Sequence, residues 1–161
     1  INQFIAHHSV IFQPEKRLMW VSTSPWQCGK YVAYDLNKIF NDTINLQHEI
    51  YSSDLTIPED KFIDTPEFQH LLTYKKLTPL LLKKIRKKEQ IEESVLKTYQ
   101  ASNPSLYYVY EVIGDYYEAM QQSKQAIAYW QQALKKSIPK LQEKERIQQK
   151  IQKQSKDGKE S

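Results

Sequence analysis

Residues 107–140 read YYVYEVIGDYYEAMQQSKQAIAYWQQALKKSIPK, and the spacing inside this stretch decides the class of the C-terminal half. Tyr110, Ile113, Gly114 and Tyr117 recur at i, i+3, i+4 and i+7, which is one face of a helix. Ala126, Trp130 and Ala133 do the same at i, i+4 and i+7. Asn103-Pro104 and Ser123 are helix-start signals, so the pattern predicts antiparallel helices over about 104–120 and 123–137. Gly114 and Ala126 let two backbones approach closely, while Tyr117 and Trp130 fill the space around them.

This order of aromatic, apolar, glycine and tyrosine, followed by Ala126-x-x-x-Trp130, resembles the tetratricopeptide repeat. The closing proline of that repeat belongs at 138, where Ile138 stands, and the proline is Pro139. Counting back one period of about 34 residues, Pro104 closes a preceding repeat whose second helix is 92–99, with Leu80 in place of its glycine. Counting forward, Gln148 replaces the glycine, and residues after Pro139 read as a polar capping helix over about 139–154 with Leu141, Ile147 and Ile151 buried. The resemblance implies one complete repeat, one degenerate repeat and a cap, an array short enough to lean on the N-terminal part. It also implies that Tyr108, Glu111 and Asp115 face the inner groove, a wall suited to a basic or polar peptide. The competing reading is that the repeat packs only on its own chain.

Upstream, Thr65-Pro66-Glu67 caps a helix carrying Phe68, Leu71 and Leu72, and Thr78-Pro79 marks a second start or a kink. Residues 1–64 hold five basic and eight acidic residues, and 65–161 hold eighteen basic and eleven acidic. The local pattern changes with the charge. Residues 6–12 and 18–22 read as an antiparallel strand pair around the turn-like insert 13–17. Apolar residues on both faces of these strands predict a sheet covered on both sides, and a lone hairpin is marginal in water. Residues 31–40 fit a strand or a strand ending in a helical turn. Asn41, Asp42, Ser52, Ser53, Asp54 and Pro58 break regular pattern, so 41–64 is expected as a linker. Residues 156–161 are expected to fray.

Residues 7–40, HHSVIFQPEKRLMWVSTSPWQCGKYVAYDLNKIF, resemble the closing segment of the acyl-CoA:6-aminopenicillanic-acid acyltransferase-like family of N-terminal-nucleophile hydrolases. The likeness rests on the strand HSVIF, the strand MWVS, the Pro-Trp-Gln loop and YVAYDL. It implies two stacked sheets between helical layers, in which 1–40 supplies terminal strands. It further implies amide or thioester chemistry by a terminal cysteine whose own amine is the base. Ile1 is not that cysteine. The implied partner is therefore an upstream catalytic part of the same polypeptide or a processed companion chain, and this chain contributes scaffold and no catalytic residue. His7, His8 and Trp26 would then line the substrate pocket.

The remaining candidates have plainer explanations. Cys28, beside Gly29 and Lys30, has no His or Asp near it in sequence and reads as an inert, half-buried thiol. His7 and His8 point to opposite faces of a strand and cannot chelate one metal together, so neither a metal nor a cofactor is expected. The run at 83–88 is basic, but Glu89, Glu92 and Glu93 follow at pairing distance and a solvated helix face is expected. The cluster of Tyr107, Tyr108, Tyr110, Tyr116 and Tyr117 lacks interleaved basic residues, so no nucleic-acid partner is expected, and a net charge of +4 agrees. One cysteine excludes a disulfide framework. No apolar run reaches the roughly 20 residues of a bilayer span. The expected class is α+β: an N-terminal β-hairpin of a larger sandwich (1–40), the linker, and an antiparallel helical module (65–155).

Overall fold

The computed structural model describes residues 9–23, 27–41 and 50–157. The chain is α+β, with a four-stranded antiparallel sheet and six α-helices among these residues. It divides into two units, 1–68 and 69–161, with the division in the first turn of a helix.

In the first unit, β1 (Val10–Gln13) pairs with β2 (Leu18–Ser22), Val10 opposite Val21 and Gln13 opposite Leu18. A 3-10 turn at Pro14–Lys16 joins them and closes with Arg17 in the left-handed region, φ 52°, its N–H on the Pro14 carbonyl at 3.0 Å. β3 (Tyr31–Asp35) pairs with β2 and passes directly into α1 (Leu36–Asn41). The switch is local: Asp35 Oδ1 accepts from the Asn37 N–H at 3.0 Å, turning the strand into a helical start.

Residues 41–64 are more than a linker, because β4 (Ser52–Ile57) adds to the far edge of β3. Its register slips between Tyr31 opposite Ile57 and Ala33 opposite Ser52. Thr56 spans the irregularity, its hydroxyl donating to the Ser52 carbonyl at 3.0 Å and accepting from the Ala33 N–H at 3.3 Å. A bulged strand built on serine, aspartate and threonine loses the period-2 signal by which strands are read. Trp20 Nε1 donates to the Leu55 carbonyl at 2.8 Å and ties β2 to β4.

Among the described residues the sheet lacks the covered faces its composition predicts. Val10 (45%), Ile11 (43%) and Phe12 (63%) are exposed, as are Leu55 and Ile57, and Ala33 is the only buried apolar strand residue among those described. Phe68, in edge contact with Phe62 at 5.6 Å, is the one large buried side chain of this unit among the described residues.

The helices are α2 (Pro66–Arg86), α3 (Glu93–Ser102), α4 (Tyr107–Ala119), α5 (Ser123–Leu134) and α6 (Leu141–Asp157). α2 runs unbroken through Pro79, so Thr78-Pro79 is not a second start. α6 extends through residues 156 and 157, which were expected to fray. Two helix ends share one device. Gln121 after α4 (φ 59°) and Lys88 after α2 (φ 53°) take the left-handed conformation. The Gln122 N–H then reaches the Tyr117 carbonyl at 2.8 Å, and the Glu89 N–H reaches that of Lys84 at 3.0 Å.

The core of the second unit is almost entirely apolar and aromatic. Leu81, Tyr99, Val109, Val112, Ile113, Trp130 and Ile147 are buried within one cluster. Tyr99 stacks on Tyr74 at 5.8 Å and shares a hydrogen bond with Thr78 at 3.1 Å. The Tyr116 hydroxyl holds both the N–H and the carbonyl of Ile91 at 3.3 Å, pinning the connection into α3. α4 and α5 form an antiparallel hairpin in which Trp130 lies directly against Gly114. Of the capping stripe, Ile147 is fully buried and Ile151 half-buried, but Leu141 is 66% exposed.

Candidate functional site

Polar groups converge in one place in the second unit, along the face of α4 toward α6. Helical spacing puts Tyr107, Glu111, Asp115 and Glu118 in a row on α4. Each meets a residue of α6: Tyr107 donates to Glu143, Glu111 accepts from Arg146, Asp115 from Lys150, and Glu118 from Gln154. The sequence separations are 36, 35, 35 and 36 residues, so α4 and α6 run in the same direction.

Glu111 is the centre of the site. It is 1% exposed, and a carboxylate at that depth requires partners on both oxygens. Arg146 Nη2 lies 2.9 Å from Oε2 and Lys150 Nζ 2.8 Å from Oε1. Lys150 also bonds both oxygens of Asp115, at 2.7 and 2.9 Å, and Trp130 Nε1 donates to Asp115 Oδ1 at 2.9 Å. The same ammonium lies 5.7 Å from the Trp130 ring centre, a cation–π contact. Burial raises the Asp115 carboxyl above its ordinary range, against the hydrogen bond from Lys150. For Lys150, burial alone would lower the amine, but the hydrogen bonds and attraction of Asp115 and Glu111 together outweigh it and hold the amine above the usual lysine value. Beside this network a cleft of about 480 Å³ is lined by Ile85, Lys88, Asp115, Glu118, Gln121 and Lys150.

Tyr108, Glu111 and Asp115 were expected to wall an open groove. The structure covers that wall with α6. Tyr108 is half-buried at 6.3 Å from the Tyr107 ring, and burial, then the Glu111 and Asp115 carboxylates, push its phenol up. Arg146 and Lys150 are the residues that sequence reasoning missed. Their signal was present, two cations four apart flanking the buried Ile147.

The other candidates stay apart from this site. His7, His8 and Trp26 lie outside the described residues. Cys28 is half-buried, and burial, followed by the Asp60 carboxylate, raises its thiol, the opposite of nucleophile activation. The basic run at 83–88 is solvated apart from the half-buried Ile85; Lys87 meets Glu89 at 3.6 Å, while Glu93 pairs with Lys97 instead, at 2.8 Å. Such exposed pairs contribute little. Among the described residues no His, Cys, Asp and Glu group has the makings of a metal site, and no helix is long and apolar enough to cross a membrane. Comparison with protein-family models, curated proteins and solved structures finds no match to this chain.

Proposed function

We propose that the helical unit is a tetratricopeptide-like interaction module that takes a basic or polar peptide along α4. The carrying observation is the acidic row of Glu111, Asp115 and Glu118 with a basic helix laid along it. Two further features support the repeat reading. The α4–α6 offset of 35 or 36 residues is close to the repeat period of about 34, the excess matching the late Pro139. The glycine of the pattern sits beneath its aromatic partner, Gly114 under Trp130. Selection of helical peptides from a display library against the full chain tests the proposal. Lysine- and arginine-rich sequences should be enriched, with affinity falling as salt rises. Enrichment of acidic sequences, or of none, would sink it.

A second reading concerns the sheet unit, and its exposed Val10, Ile11 and Phe12 favour it. A strand with this composition on a solvent-facing edge is an aggregation hazard unless further structure covers it. In this reading the sheet is the terminal part of a larger N-terminal-nucleophile-type sandwich. The chain is then scaffold of an amidohydrolase or acyltransferase acting on linear amides or thioesters, and the nucleophile belongs to an upstream or companion chain. Intact mass and N-terminal sequencing of the protein from its source decide the matter. A companion beginning with cysteine is the expected result; a lone 161-residue chain removes the reading.

A further inference from the structure

We infer that the acidic face of α4 is the docking surface for an amphipathic helix carrying two cations four residues apart beside a branched apolar residue, and that α6 holds this surface as an internal competitor. The inference rests on the interaction reading above and adds to it the form of the partner and the way the chain regulates access.

Three observations carry it. First, the surface specifies its occupant. Glu111 is 1% exposed and both its oxygens are engaged by α6. Anything that replaces α6 must bring cations to the same two places, or it strands a buried carboxylate. Arg146 and Lys150 are one helical turn apart, with Ile147 fully buried beside them, so the template is a helix with the pattern Arg-Ile-x-x-Lys. Second, α6 is lightly held. Of its apolar residues Ile147 alone is fully buried; Leu141 is exposed, and the Arg146 side chain is 50% exposed. Ile151 adds a half-buried contact to the core, and the rest of its attachment is polar, in pairs that salt screens where they reach solvent. Third, the only chain link between α5 and α6 is a short non-helical connection, residues 135–140, anchored at Ile138. The cleft lined by Glu118, Gln121 and Lys150 leaves open space beside the last turn of α4.

The probe is a fluorescent synthetic peptide with the α6 sequence, LQEKERIQQKIQKQSKD. Its binding is measured to the full wild-type chain and to the full chain carrying Arg146→Glu with Lys150→Glu. These changes place like charges against Glu111 and Asp115 and release the internal helix. The variant should bind the peptide at least about tenfold tighter, since a competitor that occupies the site nine times in ten reduces apparent affinity by that factor. Equal affinity for both chains overturns the competitor role while leaving the interaction reading intact. Binding to neither overturns both.

A second variant keeps the native cations and guards against a folding defect. Glu118 and Gln154 touch at 3.2 Å. Cysteines at both positions, with Cys28→Ser, are bridged by a short bismaleimide and verified as an intrachain link by mass. The bridged chain should lose peptide binding by about tenfold relative to the unbridged protein. Unchanged binding after bridging overturns the inference.

Discussion

Gly114→Ala is expected to destabilise the helical unit in the wild-type chain and to stabilise it in a Trp130→Ala background. A β-carbon at position 114 would lie 2.4 Å from Trp130 Cδ1 and 2.5 Å from Nε1, so the indole would have to move. It has nowhere to go. Trp130 is fully buried, its Nε1 is bonded to Asp115, and its ring lies beneath the Lys150 ammonium. Overpacking of this kind costs roughly 1–3 kcal/mol, offset in part by the helix propensity of alanine over glycine, about 1 kcal/mol. With the ring so tightly held, the net loss should be about 2 kcal/mol. Trp130→Ala alone should cost about 3–5 kcal/mol. In that background the methyl added by Gly114→Ala enters the vacated space, and only the propensity gain of about 1 kcal/mol remains. Urea unfolding of the four proteins of the cycle, followed by far-ultraviolet circular dichroism, measures this reversal of sign. Additive effects would mean that Gly114 and Trp130 do not interact as the structure has them.

That pair was legible in the sequence because its logic is local. A glycine and an alanine facing two large aromatics, each at helical spacing, prescribe a close crossing without knowledge of anything distant. The helices α4, α5 and α6 begin within about three residues of where Pro104, Ser123 and Pro139 place them. β4 was illegible for the opposite reason. Ser52, Ser53 and Asp54 carry turn chemistry, and what makes them a strand is the unpaired edge of β3 together with the Thr56 hydroxyl bridging the bulge. No window of sequence contains that edge.

The site falls between these cases. Glu111 and Asp115 stood out on their helix, but an acidic residue on an amphipathic helix is ordinarily solvated. Nothing local says that Glu111 is buried. Its burial comes from α6, some 35 residues away, and the cations that make burial tolerable sit on a helix whose apolar stripe is only Ile147 and Ile151. Periodicity located that stripe; it could not say that Arg146 and Lys150, on its flank, would turn inward to another helix rather than outward to water. The residues expected to wall a groove, Glu111 and Asp115, are therefore bonded to the helix that was expected as a cap.

Lys150→Met should show how much of the unit's stability this joint carries. The substitution keeps a long apolar stem and removes the ammonium that bonds Glu111 at 2.8 Å and Asp115 at 2.7 Å. Arg146 stays on Glu111, and Trp130 stays on Asp115, but two carboxylates are left with one half-exposed cation. Breaking a buried pair from one side costs about 3–5 kcal/mol. Because Lys150 keeps 24% of its side-chain exposure, a loss near the lower end, about 3 kcal/mol, is expected. The pH dependence identifies the cause. Burial already holds the Asp115 carboxyl above its ordinary range, and Lys150 is the main group opposing that shift. Without it the carboxyl moves higher still. A carboxyl whose folded pKa exceeds its unfolded value favours the folded state when protonated, and that advantage is lost as pH rises through the folded pKa. The variant's deficit should thus be largest at neutral pH and shrink as acid protonates Asp115. The alkaline side reads the other partner. The wild-type Lys150 amine is raised in the fold, so its contribution is complete below the ordinary lysine pKa of about 10.4. That contribution disappears as pH climbs through the higher folded value, a limb the methionine variant lacks. Thermal unfolding of both proteins from pH 4 to pH 11 would display both limbs, and a deficit that is constant with pH would place the loss in packing rather than in the charge of Lys150.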